Sequence, residues 1–248
     1  MISDLLLEAH RDLPRQGPGE EASTLRALVL AGGLPEDLRV LDLGCGSGMQ
    51  TLVLARALPG ARITAVDQHE LFLDELRARA REAGLNGRLK TLAADMADLP
   101  FEDGSFDLLW AEGSISCLGF DRGLRLWKRL LRPGGVLACT ELAWLVSEPP
   151  QEAARHWESG YPGMRWAPAN MDAARAAGYD ILGSFPLPQS AWRRDYYEPL
   201  KRNLEALRVR RAGDAGVLEA IAAEEAEMDL LRRHGTSYGY VFYILRKP

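Results

Sequence analysis

Between Val40 and Gly48 the chain reads Val-Leu-Asp-Leu-Gly-Cys-Gly-Ser-Gly, and an amphipathic run follows directly. Four residues suited to a buried strand therefore enter a turn with glycine at alternate positions, and a helix starts behind it. Glycine is required where backbone must take positive φ or let another group lie against it. The start of the helix is expected to present unpaired N–H groups that favour a negatively charged ligand group. The next apolar run, Ile63-Thr64-Ala65-Val66, ends on Asp67, 25 positions beyond Asp42. A carboxylate at the end of that second strand can accept hydrogen bonds from both hydroxyls of a ribose. The dinucleotide fingerprint would need a third glycine where Met49 stands, and Gly48 comes one residue early. A nicotinamide-dependent dehydrogenase is therefore a distant reading, and a tight turn with no ligand is the bland one.

Strand and helix patterns alternate around this loop. Apolar runs at 40–43, 63–66, 89–93, 106–110 and 135–141 are separated by helical patterns near 49–57, 69–83 and 121–131. This order predicts parallel strands with crossover helices on both faces. Residues 3–13 place Leu5, Leu6, Ala9 and Leu13 on one helical face, the cluster Arg15-Gln16-Gly17-Pro18-Gly19 breaks it, and a second helix is expected from Glu20 to about Ala31. Residues 150–177 read as helix interrupted at Tyr161-Pro162-Gly163, a strand follows near 181–187, helices near 190–210 and 215–234, and β formers at 238–245. The expected fold is a doubly wound α/β sheet of seven strands, with an antiparallel last strand. One domain spans 1–248: a helical cap at 1–36, a cofactor-binding core at 37–146, a helical segment at 147–177 and a helical lid at 188–236 between the last two strands.

The net charge of −5 disfavours a protein that grips nucleic acid through a general basic face, although Arg193, Arg194, Lys201, Arg202, Arg208, Arg210 and Arg211 keep a macromolecular acceptor such as a protein or RNA as an alternative. No stretch approaches the roughly 20 apolar residues of a membrane span. The first residues lack the basic start and apolar run of a secretory signal, and three scattered cysteines suit a reducing compartment, so a cytoplasmic location is expected. His10, His69, His156 and His234 are isolated, and Cys45, Cys117 and Cys139 lack ligand spacing, so no metal is expected.

The acid-x-Gly-x-Gly-x-Gly pattern at Asp42–Gly48 resembles that of class I S-adenosylmethionine-dependent methyltransferases. Three further segments resemble the family's motifs in order: Ile63 to Asp67; Ala94-Asp95-Met96 with Leu99-Pro100-Phe101 and Phe106-Asp107; and Leu131-Arg132-Pro133-Gly134-Gly135. These motifs span residues 38–141, and the likeness is closest to the branch with quinone-biosynthesis C-methyltransferases and many small-molecule enzymes. The flanks, Arg15–Gly19 and Tyr238–Tyr243, resemble an uncharacterised bacterial subgroup. The resemblance implies a Rossmann-like fold and S-adenosylmethionine as cofactor, with S-adenosylhomocysteine as product. It implies cofactor contacts from Asp42, Gly44, Cys45, Gly46, Gly48, Asp67, Gln68, Asp95, Met96 and Glu112, with the glycines at the methionine part, Asp67 on the ribose and Asp95 with Met96 at the adenine edge. Arg15 is added as a residue that reaches back over the cleft to a carboxylate.

In an open α/β sheet, ligands bind outside the carboxyl ends of the strands. Asp42, Asp67, Asp95, Glu112 and Glu141 are each expected there, around one cleft. If the acceptor is a hydroxyl or amine, a base must take its proton; Glu112 is the first candidate and Glu141 the second. Helix capping or pairing with an arginine is the competing role for both. The Asn/Asp-Pro-Pro-Tyr motif typical of enzymes that methylate base or amide nitrogens is replaced here by Ala111-Glu112-Gly113-Ser114. Trp144, Trp192, Tyr196 and Tyr238 are the candidate walls of an acceptor pocket. The expected activity is methyl transfer to a small molecule by a monomer or homodimer, with no membrane partner and nucleic acid disfavoured. A module that binds the nucleoside without catalysis is the alternative from a different class.

Overall fold

The computed structural model describes residues 4–248. Seven long strands form one sheet: β1 (Arg39–Leu43), β2 (Arg62–Asp67), β3 (Leu89–Ala93), β4 (Phe106–Ala111), β5 (Leu131–Trp144), β7 (Asp180–Pro186) and β8 (Tyr238–Arg246). Their order is β3-β2-β1-β4-β5-β8-β7, and β8 alone runs against its neighbours. A two-residue strand, β6 (Arg165–Trp166), pairs with the end of β5. The expected doubly wound sheet with an antiparallel last strand is present.

Helices α2 (Glu21–Ala31), α3 (Met49–Ala57) and α4 (Glu70–Glu82) cover one face, and α5 (Phe120–Lys128) and α7 (Ala167–Ala176) cover the other. The strand alternation sets this division. Val40, Leu108, Trp110 and Phe242 point to the α2–α3 side, and Leu41, Leu43, Leu109 and Tyr243 to the α5–α7 side. Burying each such side chain contributes roughly 1.5–3 kcal/mol. A third layer packs over the carboxyl end of β5 and the amino end of β8. It contains α1 (Asp4–Ala9), α6 (Gln151–Gly160), α8 (Gln189–Trp192), α9 (Glu198–Arg210) and α10 (Ala215–His234).

Several boundaries differ from the sequence reading. The first helix, expected over 3–13, ends at Ala9 because Asp12 takes a left-handed conformation (φ 59°). Ser3 and the side chain of Leu6 lie outside the described residues. The helix expected over 190–210 is divided by a π-helical turn at Arg193–Tyr197, which lets Tyr196 and Tyr197 both turn inward. Strand β5 starts at Leu131, not Gly135, since its register against β4 shifts between Phe106 and Leu108 and absorbs the glycine turn. Among the described residues, no helix is long and apolar enough to cross a membrane.

Candidate functional site

The carboxyl ends of β1, β2 and β4 open into a cavity of about 750 Å3. Its floor is the glycine loop. Gly44, Gly46 and Gly48 take φ of 70°, 53° and 84°, which L side chains rarely adopt. A methyl on Gly44 would sit 2.4 Å from Ser114 Cβ, one on Gly46 2.4 Å from Gln16 Oε1, and one on Gly48 2.1 Å from Leu76 Cδ1. The space that glycine provides is thus already filled by protein.

The N–H groups of the loop are also taken. Gly44 and Cys45 both donate to the Val66 carbonyl at 2.8 and 2.9 Å. Gly46 donates to Asp67 Oδ2 at 2.9 Å, and Ser47 donates to Gln16 Oε1 at 2.7 Å. The sequence reading expected unpaired donors at the start of α3. Gln16 takes the Ser47 N–H just ahead of α3, whereas the N–H groups of Met49, Gln50 and Thr51 in the first turn have no cap among the described residues, so donors remain at the helix start.

Gln16 belongs to a strap, residues 10–19, that crosses the mouth of the cavity. Arg79 of α4 holds the strap with its guanidinium, which donates to Leu13 O (2.9 Å), Ser47 O (3.1 Å) and Ser47 Oγ (2.8 Å). The strap brings Arg15, Gln16, Gly17 and Pro18 to the cavity wall. Arg15 donates to Glu112 Oε2 at 2.8 Å, and both side chains are almost fully buried, 5% and 2% exposed. The other oxygen of Glu112 accepts from Thr24 Oγ1 (2.7 Å) and Trp110 Nε1 (2.8 Å). A carboxylate engaged this way is an anchor for the strap. That is the arginine-pairing role set against its candidacy as a base, and the proton-accepting role expected first for Glu112 is corrected on this ground.

Asp67 stands at the end of β2. Its Oδ1 accepts from the N–H of His69 (2.9 Å) and contacts His69 Nδ1 (3.0 Å), and its Oδ2 holds the loop through Gly46. Carboxylate oxygens together offer about four lone-pair sites, so Oδ2 keeps one for a further donor. Gln68, Asp95 and Met96 line the far end with Phe72, Val66 and Leu118, and Asp95 Oδ1 turns back to the N–H of Ala97 (2.8 Å).

Two residues expected at the cofactor do not border the cavity. Gly48 faces Leu76. Asp42 lies fully buried beneath the loop, where Oδ2 accepts from Thr51 Oγ1 (2.6 Å) and Gln50 Nε2 (3.3 Å) and Oδ1 has no partner. Burial pushes its carboxyl up to about 7, against the lowering effect of those two donors.

Glu141, on β5, also lies outside the cavity wall but close by. Its Oε1 accepts from Tyr161 OH at 2.5 Å, while Oε2 is buried with no partner. Burial raises it to about 7. Its field reaches Cys117, which lines the cavity, and Tyr240. The four aromatics expected around an acceptor are gathered in one place, yet they pack on one another. The Tyr238 ring lies 6.1 Å from Trp144 and 6.4 Å from Trp192, and Tyr196 is 5.1 Å from Tyr197. Trp192, Tyr196 and Tyr238 are core residues of the third layer, and none of the four lines the cavity. Sequence reading missed Thr24, Gln50 and Arg79 on helices and His69, Ser114 and Cys117 in turns; single polar residues in either setting carry no local signal of this kind.

A doubly wound sheet, a glycine loop braced by an acid at the end of β2, and a cavity at the switch between β1 and β4 define a nucleoside-binding α/β protein. Comparison with known proteins narrows the class. Residues 40–135 match the family described as a methyltransferase domain. The 27-O-demethylrifamycin SV methyltransferase of Amycolatopsis mediterranei (strain S699) is 30% identical over 241 residues, which cover 92% of this chain and 85% of that protein. Methyltransferase GfsG of Streptomyces halstedii is 39% identical over 105 residues, 42% of this chain, and the match spans only 37% of that protein. The fold is shared with a methyltransferase of Geobacter sulfurreducens solved with S-adenosyl-L-homocysteine (TM-score 0.84, 23% identity, covering 100% of this chain and 99% of that one). The chain belongs to the class I S-adenosylmethionine-dependent methyltransferases.

Proposed function

We propose that the chain is a cytoplasmic methyltransferase that passes a methyl group from S-adenosylmethionine to a small-molecule acceptor. The observation that carries this reading is the 750 Å3 cavity with Asp67 and the glycine loop on its wall. The group fits the residues present. Asp67 has acceptor capacity for ribose hydroxyls, with His69 Nδ1 giving way at Oδ1. Asp95 and the backbone at Met96 would hold the adenine edge, and Phe72 and Leu118 line the same end of the cavity. The remaining N–H donors of Arg15 meet the carboxylate of the methionine part. Asp42 and Gly48 act from behind, shaping the loop without contact, and Gln68 edges the ribose side.

S-adenosylmethionine supplies a methyl already activated on a sulfonium, open to in-line displacement by the acceptor, and leaves as S-adenosylhomocysteine. The protein's part is to hold, align and exclude water. The Gln16–Arg15 strap closes the mouth, and the α8–α10 layer covers the acceptor side. Glu141, with an unpartnered buried oxygen and a carboxyl poised near 7, takes the proton of an acceptor hydroxyl or amine, and Tyr161 holds its other oxygen.

The test is release of S-adenosylhomocysteine from S-adenosylmethionine against a panel of small hydroxyl- and amine-bearing acceptors. Turnover with at least one is expected. Glu141→Gln should lower its kcat by about 10²–10⁴-fold and leave cofactor affinity unchanged. Turnover by Glu141→Gln at the parent rate would remove Glu141 from the reaction.

A further inference from the structure

At the opposite edge of the sheet, the amino-terminal ends of β1, β2 and β3 border a second cavity of about 560 Å3. No helix lies between β3 and β4, so the chain crosses from Ala94 to Ser105 as loop and leaves Thr64 and Lys90 on an open sheet face. Four cations line the cavity, Arg39, Arg62, Arg88 and Lys90, and no carboxylate does. Arg88 is committed: it donates to the carbonyls of Ala55 and Leu58 at the end of α3. The other three stand on neighbouring strands, and among the described residues none of them is ion-paired. The nearby Asp107 accepts from the Arg39 amide (2.6 Å) and pairs with Arg132 (2.5 Å), not with the Arg39 guanidinium. The floor is aromatic, with Phe101 and Phe106 edge to face at 5.0 Å.

Three cations without a carboxylate partner, Arg39 among them with its guanidinium 5.6 Å over the Phe106 ring, line one groove in a chain of net charge −5, and this is a local device, not a general basic character. A single carboxylate would leave most of that charge unmatched, while a di- or triphosphate would match it. The apolar floor suits a planar ring, and the volume suits a mononucleotide. We propose that this groove binds a phosphorylated small molecule of nucleotide size, at a site separate from the cofactor cavity.

The test uses the full chain saturated with S-adenosylhomocysteine, so that the cofactor cavity is filled, and ADP, pyrophosphate and adenosine as probes. Amide shifts at Arg62, Thr64 and Lys90 are followed by NMR and heats by calorimetry. ADP is expected to give saturable shifts at these residues, pyrophosphate weaker ones and adenosine none. If each lost charge contact costs about tenfold, Arg62→Glu/Lys90→Glu weakens ADP by about 100-fold while affinity for S-adenosylhomocysteine stays the same. Arg62→Gln/Lys90→Gln serves if the charge reversal disturbs folding. Absence of saturable shifts at these amides, ADP binding unchanged in both double variants, or a response to poly-glutamate alone would overturn the proposal.

Discussion

Arg15 and Glu112 are the pair on which the cavity mouth depends. They are 97 positions apart, buried together, and joined by one charge-assisted bond. Removing one member of such a pair strands the other in low dielectric and costs about 3–5 kcal/mol. Glu112→Gln is therefore expected to lower the thermal midpoint by several degrees, and Glu112→Gln/Arg15→Met to recover part of the loss, as a double-mutant cycle by thermal denaturation will show. The shape of the pH–rate profile should not change, because both oxygens of Glu112 are held by Arg15, Thr24 and Trp110. At Gly48, alanine would meet Leu76 and take a left-handed backbone. Gly48→Ala is expected to cost about 1–3 kcal/mol in a denaturant titration, although Gly48 does not border the cavity.

The strap and the helix that holds it work as one element. Arg79 binds carbonyls of the strap and Ser47 of the loop with the same guanidinium, so it ties the mouth to the floor. Arg79→Ala should loosen residues 10–19 while the sheet stays folded. Expected outcomes are faster amide exchange in the strap, weaker binding of S-adenosylmethionine by roughly tenfold, and unchanged exchange in β1 and β4. At this scale the sequence was partly legible. The β1–loop–α3 unit and Asp67 could be read because a strand, a turn and a helix N-terminus each leave a local pattern. The face to which Asp42 points could not, since an acid before a glycine fits both a ligand contact and a buried brace. Nor could the aromatics be sorted: Trp192 and Tyr238 satisfy the same β and helical patterns whether they line a pocket or fill a core. The contact of Arg15 with Glu112 leaves no trace in either segment alone.

For the whole molecule, two of the buried carboxylates, Asp42 and Glu141, contribute a pH dependence of known sign. Asp42 and Glu141 rise to about 7 in the folded state, from 3.8 and 4.5. Between those limits the unfolded chain gives up these protons and the folded chain keeps them. Their contribution to stability is therefore full below about pH 4 and is lost as pH rises through 7, by about 2–4 kcal/mol for each group. Asp42→Asn should flatten the decline in thermal midpoint between pH 5 and pH 8, and Glu141→Gln should do the same independently. The most direct measurement concerns the cavity itself: calorimetric titration of protein stripped of carried-over ligand with S-adenosylmethionine and S-adenosylhomocysteine, beside NAD and the Asp67→Ala variant. One site per chain for both sulfur nucleosides, no heat with NAD, and a loss of at least about tenfold in affinity for Asp67→Ala are the expected results. No binding of either sulfur nucleoside by folded protein, or equal binding by Asp67→Ala, would contradict the account.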